Sequence, residues 1–271
     1  MVMKTEILYD SLLPLKVVTF DDIVQQALPI IEATPNRRYI YKKYVTRLVQ
    51  TGKLHNIRKN LYLVLSPLEK PETYMPDKIL IAAKIKKQYY LGYHTALEYY
   101  GCAQSLWNEA YVVVKPNSRF DIFHYKRYYF KPVFNDDITT EIQEKHYQRN
   151  TINVSSKERT LLDCLSKPQY VGGWEETIKS LEGLSQISIE KTLKLLHIYK
   201  DNTLTRKTGY VLELLRDRSP FYQHINDENL KQIQQLVTGL PRYLISKEKG
   251  RLNTKWNLYV PEDFEDRMRG I

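Results

Sequence analysis

The chain has 271 residues, 42% hydrophobic and 27% charged, the composition of a globular protein with material for one large or two ordinary domains. Its 41 Lys and Arg against 31 Asp and Glu leave a net charge of +10, which favours a polyanionic partner, nucleic acid before an anionic membrane surface. Cys102 and Cys164 lack Cys-x-x-Cys or Cys/His spacing, there is no basic-then-apolar leader, and no apolar run reaches spanning length; a disulfide framework and a zinc site are excluded, and the expectation is a cytoplasmic protein with no membrane partner.

The spacing predicts a first helix over 5–13. A second starts at Thr19, whose hydroxyl caps free amides before Phe20-Asp21-Asp22, and buries Ile23, Val24, Ala27 and Leu28. A third starts at Thr34-Pro35, a threonine cap followed by proline at the first helical position, and runs to Thr51 with Gly52 as its left-handed stop. At 100° per residue its apolar side is Ile40, Tyr41, Tyr44, Val45, Leu48 and Val49. The other side carries Asn36, Tyr39, Lys42, Lys43, Thr46 and Gln50, with Arg47 at the margin.

Two alternating strands, 54–57 and 61–65, follow around the turn Arg58-Lys59-Asn60, where asparagine accepts a positive φ. Three helices and a hairpin are the order of a winged helix-turn-helix over residues 1–70. Residues 66–76, with three prolines, read as a linker. Beyond it, residues 71–271 read as a mixed α/β C-terminal domain, so the fold class expected is α+β. Its helices are expected at 77–87, 93–100, 157–166, 174–184, 189–199, 204–216 and 227–237, and its strands at 110–115, 128–133, 152–154, 243–246 and 256–260.

From Ala33 to Leu68 there is no Asp or Glu, but there are eight basic residues: Arg37, Arg38, Lys42, Lys43, Arg47, Lys53, Arg58 and Lys59. A helix fits the major groove of B-DNA, and a basic hairpin beside it reaches phosphate or the minor groove. The candidate DNA-binding set is therefore Asn36, Arg37, Arg38, Tyr39, Lys42, Lys43, Thr46, Arg47, Arg58, Lys59 and Asn60. Asn36, Tyr39, Lys42, Lys43 and Thr46 are its base readers, and Arg58 and Lys59 its phosphate contacts.

Catalytic signals are weak. The six histidines are scattered, no Gly-rich phosphate loop or Gly-x-Ser-x-Gly elbow occurs, and the carboxylates Asp136, Asp137 and Glu141 sit in a loop-like stretch. The expectation is no enzyme activity, no cofactor and no metal. A transcription factor with a ligand-sensing second domain is an alternative, and a metal-dependent nuclease a more remote one. Lys247, Lys249, Arg251 and Lys255 read as a solvated loop before an RNA- or target-binding surface.

Four blocks carry a family resemblance. They are Tyr89-Tyr90-Leu91-Gly92-Tyr93-His94-Thr95-Ala96-Leu97-Glu98-Tyr99-Tyr100-Gly101, Val154-Ser155-Ser156-Lys157-Glu158-Arg159-Thr160-Leu161-Leu162-Asp163-Cys164-Leu165, Pro168-Gln169-Tyr170-Val171-Gly172-Gly173, and the tail from Gly250 to Leu258. In this order behind a winged helix, the chain resembles the AbiE-type (AbiEi) antitoxins of type IV toxin–antitoxin systems, which are abortive-infection transcriptional regulators. It departs from them at Asn60, where the family often has glycine, and at Ser155-Ser156, where it usually has an acidic residue and proline. Both substitutes are physically competent, as a left-handed turn residue and a helix cap, and the second block reads as structural. The resemblance implies a repressor that binds double-stranded DNA, its own promoter, at repeats. It further implies an antitoxin that counters a nucleotidyltransferase-like toxin without a stable complex, with residues 71–271 as the effector domain.

Overall fold

Thr19 is the first fixed point. In the computed structural model of the chain, which describes residues 2–31 and 36–269, its hydroxyl accepts from the Asp22 amide at 3.1 Å while the Asp22 carboxylate accepts from the Thr19 amide at 2.8 Å. This reciprocal cap starts helix α2, Phe20–Ala27, as expected. Helix α1 is Val2–Leu12. Strand β1, Val17–Thr19, was not foreseen: three residues are too few to establish an alternation. It pairs antiparallel with β3, Leu61–Val64, which pairs with β2, Leu54–Arg58, giving a three-stranded sheet of order β1-β3-β2.

Helix α3 occupies 37–50. The expected start at Thr34-Pro35 lies outside the described residues; Asn36 is the cap, its side-chain oxygen accepting from Arg38 N–H at 2.9 Å. The helix is α-helical over Arg37–Ile40 and Thr46–Gln50 but π-helical over Tyr41–Val45, where the Thr46 amide reaches back to the Tyr41 carbonyl. A wider turn advances each residue by less than 100°, so the helical phase slips. Tyr41, expected on the apolar side, is consequently 47% exposed. The apolar sides of α1, α2, α3 and the hairpin close on one core containing Leu8, Leu12, Ile23, Tyr44, Leu48 and Leu54.

The chain divides into two compact units, 1–90 with 108–138 and 144–153, and 91–107 with 139–143 and 154–271. The expected division at residue 70 is therefore not where the contacts part. Within the first unit, Arg58 lies over the Phe123 ring and His55 beside Tyr125, so the hairpin β2–β3 packs on β6, Phe123–Tyr125. The stretch 66–76 is fastened too: Lys126 donates to the carbonyls of Pro71 and Tyr74, and Glu69 accepts from Lys16 and from the Ser66 amide.

A six-stranded sheet has order β6-β7-β5-β4-β9-β8. Its strands are β4 Tyr90–Leu91, β5 Glu109–Val114, β6, β7 Tyr128–Phe134, β8 Ile142–Tyr147 and β9 Asn150–Ser155. Strand β5 runs parallel to β7, and β6 antiparallel to it. Helix α4, Lys78–Ala83, belongs to the first unit and stops short of the predicted end at 87. Strands β4, β6 and β8 were missed, being short or rich in polar residues.

The second unit holds α5 Tyr93–Tyr99, α6 Lys157–Ser166, α7 Trp174–Glu182, α8 Ile189–Tyr199, α9 Asn202–Arg218, α10 Asp227–Gln234 and α11 Phe264–Arg269. A small sheet of β10 Arg242–Tyr243, β12 Leu258–Val260 and β11 Arg251–Asn253 completes it. Trp256, expected in a strand, is instead a fully buried turn residue. Its ring fills the space at Gly209, where a Cβ would lie 2.0 Å from it, and its Nε1 donates to Glu213 at 2.6 Å. Burying an indole is worth about 4–6 kcal/mol, which anchors the small sheet on α9.

Candidate nucleic-acid interface

The face of α3 away from the core is cationic. Asn36, Arg38, Tyr39, Lys42 and Lys43 line one shallow groove. Arg38 and Lys42 are exposed and have no ion-pair partner among the described residues. Lys43 donates to the Tyr39 hydroxyl and lies 4.7 Å from that ring, which raises its pKa. Asn36 has committed its oxygen to the cap, leaving its amide NH₂ as the group free to contact a ligand.

Thr46 and Arg37 are engaged elsewhere in the fold, and Arg47 stands at the margin where it was expected. Thr46 is half-buried and its hydroxyl donates to the Tyr41 carbonyl at 3.1 Å, so the π-turn that shifts the phase also consumes this side chain. Arg47 is half-buried at the margin. Arg37 is exposed but already engaged: its guanidinium reaches Asp21 at 2.5 Å and lies 4.9 Å over the Phe20 ring.

Asn60 has φ +63°, the left-handed conformation expected at the turn, and its carbonyl accepts from the Phe20 amide at 3.0 Å. Arg58, Lys59 and Asn60 share a second groove with Tyr41, Asn56 and Tyr62. The hairpin tip thus adjoins Tyr41 of α3. Lys53 is turned aside, paired with Glu6 and over the Tyr9 ring.

A larger cleft of the first unit, about 860 Å³, lies between the hairpin tip and the stretch after α4. Arg37, Arg58 and Lys59 line one part of it, and Lys84, Lys86, Lys87 and Arg119 another. Asp21 bridges the two, binding Arg37 through Oδ1 and Lys87 through Oδ2 at 2.7 Å, while Asp22 holds Lys84 at 3.1 Å. Hydrogen bonds from Lys87 first and Arg37 second hold the Asp21 carboxyl below its usual range. Sequence reasoning missed this second bank. The local run Lys84-Ile85-Lys86-Lys87 was a visible signal, but it had been placed inside a helix.

In the second unit much of the first three blocks behind the family resemblance points inward. His94 is fully buried, stacked on Trp107 at 4.4 Å, with Nδ1 3.4 Å from Glu98 and Nε2 3.5 Å from Glu176. Ser156 caps α6, Arg159 donates to the Thr140 carbonyl, and Glu158 accepts from the Ser188 amide at 2.8 Å. Gly172, at φ +97°, lies against the Trp107 ring, where a Cβ would meet Cζ2 at 2.5 Å. Burial, with Asp163 second, pushes the Tyr93 hydroxyl far above its usual range. These residues knit the unit together. Among the described residues, no group of three or more His, Cys, Asp or Glu is placed to hold a metal ion, and no helix is long and apolar enough to cross a membrane.

No protein-family model matches the chain, and a search of curated proteins finds no match. Among solved structures, the chain is similar to the RV2827C protein from Mycobacterium tuberculosis, at a TM-score of 0.61 and 15% identity, over 99% of this chain and 95% of that one. At this identity the likeness concerns the fold, and the α+β architecture is shared along nearly the whole of both chains.

Proposed function

We propose that helices α1–α3 and the β2–β3 hairpin form a winged helix-turn-helix, with α3 as its recognition helix, and that the chain is a DNA-binding transcriptional repressor. The observation that carries this reading is the strip of exposed Asn36, Arg38, Tyr39 and Lys42 with half-buried Lys43 on the outward side of α3, together with a hairpin tip carrying Arg58 and Lys59. A helix of this diameter enters the major groove, where lysine and arginine reach guanine and the free Asn36 NH₂ can donate to a base-edge acceptor. The hairpin cations fall where they can neutralise flanking phosphates. The reading further takes the chain to repress its own promoter and to serve as the antitoxin to a nucleotidyltransferase-like toxin. That part is supported by the resemblance of the four sequence blocks, and it assigns the antitoxin role to the second unit.

The test is binding of promoter-containing duplex DNA, measured by anisotropy across a salt series. Lys42→Ala with Lys43→Ala is expected to weaken binding about tenfold or more and to flatten the log–log salt slope by about 1–2, with the fold unchanged by circular dichroism. Unchanged affinity and slope would remove the recognition-helix assignment. Co-expression with the product of the adjacent gene, scoring growth, tests the antitoxin part separately.

A further inference from the structure

Tyr41 and Tyr62 carry hydroxyls that the fold leaves free. Neither makes a hydrogen bond among the described residues. For Tyr62 this is unusual, because its side chain packs in the core with Leu54 and Val64 and only 3% of the residue is exposed. A phenol buried to that extent normally finds a partner inside the protein. Its hydroxyl is not sealed in, and Tyr62 lines the groove shared by Tyr41, Asn56 and Lys59. Asn56 stands opposite Tyr62 in the β2–β3 register, so both side chains lie on the same face of the hairpin. Tyr41 enters from α3, brought there by the π-turn, a distortion that recurs at functional positions. The Thr46 hydroxyl holds the Tyr41 carbonyl at 3.1 Å, and the Tyr41 ring meets the Phe20 ring edge to face at 5.7 Å. Burial first and the neighbouring Tyr41 second push the Tyr62 pKa up, so its hydroxyl keeps its proton.

No carboxylate lines this groove. Lys59 is exposed and has no ion-pair partner among the described residues. Arg58 is set aside, because it pairs with Leu61 in the register and its guanidinium lies over the Phe123 ring. Two phenol donors, a carboxamide and one cation, with no acid among them, complement a phosphodiester, whose anionic oxygens only accept. The outward strip of α3 lines a different groove. With that strip in the major groove, the strand bordering it is the part of a duplex that meets the space between helix and hairpin.

We propose that Tyr41, Tyr62 and Asn56 clamp one backbone phosphate of the bound duplex and so fix the register in which α3 enters the groove. This rests on the duplex-binding reading and adds to it three residues that bear no charge. The test uses the full chain and promoter-containing duplex, followed by anisotropy. Tyr41→Phe and Tyr62→Phe each delete one hydroxyl, and each is expected to weaken binding about tenfold. The loss should be equal for duplexes altered in base sequence and should leave the salt slope unchanged, whereas Lys59→Ala should flatten it by about 1. Melting temperatures should not move, because neither hydroxyl has a partner in the fold. Single methylphosphonate linkages, each removing one phosphate charge, are then placed in turn along the duplex. At one linkage the wild-type chain should lose affinity by at least about threefold more than Tyr62→Phe, which already lacks the contact. Equal affinity of both Phe variants and the wild type, or the same methylphosphonate profile for wild type and Tyr62→Phe, overturns the clamp. If Lys42→Ala with Lys43→Ala still weakens binding in that case, the recognition helix stands without it. A wild-type chain that binds no duplex removes both.

Discussion

On the proposed DNA-binding reading, Asp21 is the residue whose removal should strengthen binding. It holds two cations that a phosphate would otherwise attract, Arg37 on the first turn of α3 and Lys87 across the cleft. The side chains are substantially exposed, 58% for Arg37, 86% for Lys87 and 40% for Asp21. Each ion pair therefore contributes no more than about 1 kcal/mol to stability in high dielectric. Asp21→Asn keeps the shape and leaves the Thr19–Asp22 cap in place, so its cost to folding should stay within about 1 kcal/mol. On DNA the balance is different. The substitution deletes a negative charge beside the backbone, worth about 1 kcal/mol at contact distance in water, and frees two cations for counterion-releasing contacts. Affinity for promoter duplex is expected to rise about fivefold to tenfold at low salt, and the salt slope to steepen by about 1–2. Because the folded-state pKa of Asp21 is lowered, the carboxylate stays charged until the pH falls below the ordinary range near 4. Its ion pairs contribute fully above that range and are lost only as pH falls through the depressed value. Mild acidification should therefore not mimic the mutation. Anisotropy across a salt series and at about pH 8 and 6 measures all of this. A natively folded Asp21→Asn chain that binds no tighter than wild type would refute the idea that Asp21 competes with phosphate.

Other expectations concern the scaffold and its thiols. Thr19→Ala removes one half of the reciprocal cap and should cost about 1 kcal/mol, seen as a fall of a few degrees in melting temperature; no change would mean that the cap contributes nothing to α2. At the hairpin turn, Asn60→Gly should be tolerated at φ +63°, whereas Asn60→Val should lose about 1–2 kcal/mol in urea unfolding; equal stability of the two would contradict the left-handed turn. Burial pushes the Cys102 thiol up to about 11, and Cys164 is buried with its pKa raised by the same cause. Iodoacetamide labelling of the folded chain near pH 8 should therefore be at least about a hundredfold slower than that of a free cysteine, and rapid labelling would mean that the thiols open to solvent.

Local physics made much of the fold readable. The cap at Thr19, the periodic apolar sides of α2, α6, α8 and α9, and the asparagine turn each rest on a few adjacent residues, and each is found where its chemistry puts it. What escaped was set by partners distant in sequence. Strand β1 exists because Val17–Thr19 meets Leu61–Leu63, and β8, alternating but polar, carries no apolar stripe that would announce it. The supposed linker is held by Lys126, more than fifty residues away. No pattern within 66–76 encodes that contact, and the same long-range packing moves the unit boundary away from residue 70.

The candidate interface divides along the same line. Which residues of α3 are basic can be counted from the sequence, but which of those charges remain free depends on where carboxylates from other elements arrive. Arg37 meets Asp21 and Lys53 meets Glu6, so two of the eight cations in the acid-free window are balanced by acids outside it. Arg58 is partly spent on the Phe123 ring. A window without Asp or Glu is thus a weaker statement than it looks, since screening is three-dimensional. Arg38, Lys42, Lys43 and Lys59 have no carboxylate partner among the described residues. If duplex DNA is the ligand, these four should dominate the salt dependence of the wild-type chain, and Arg37 should contribute only once Asp21 has let go.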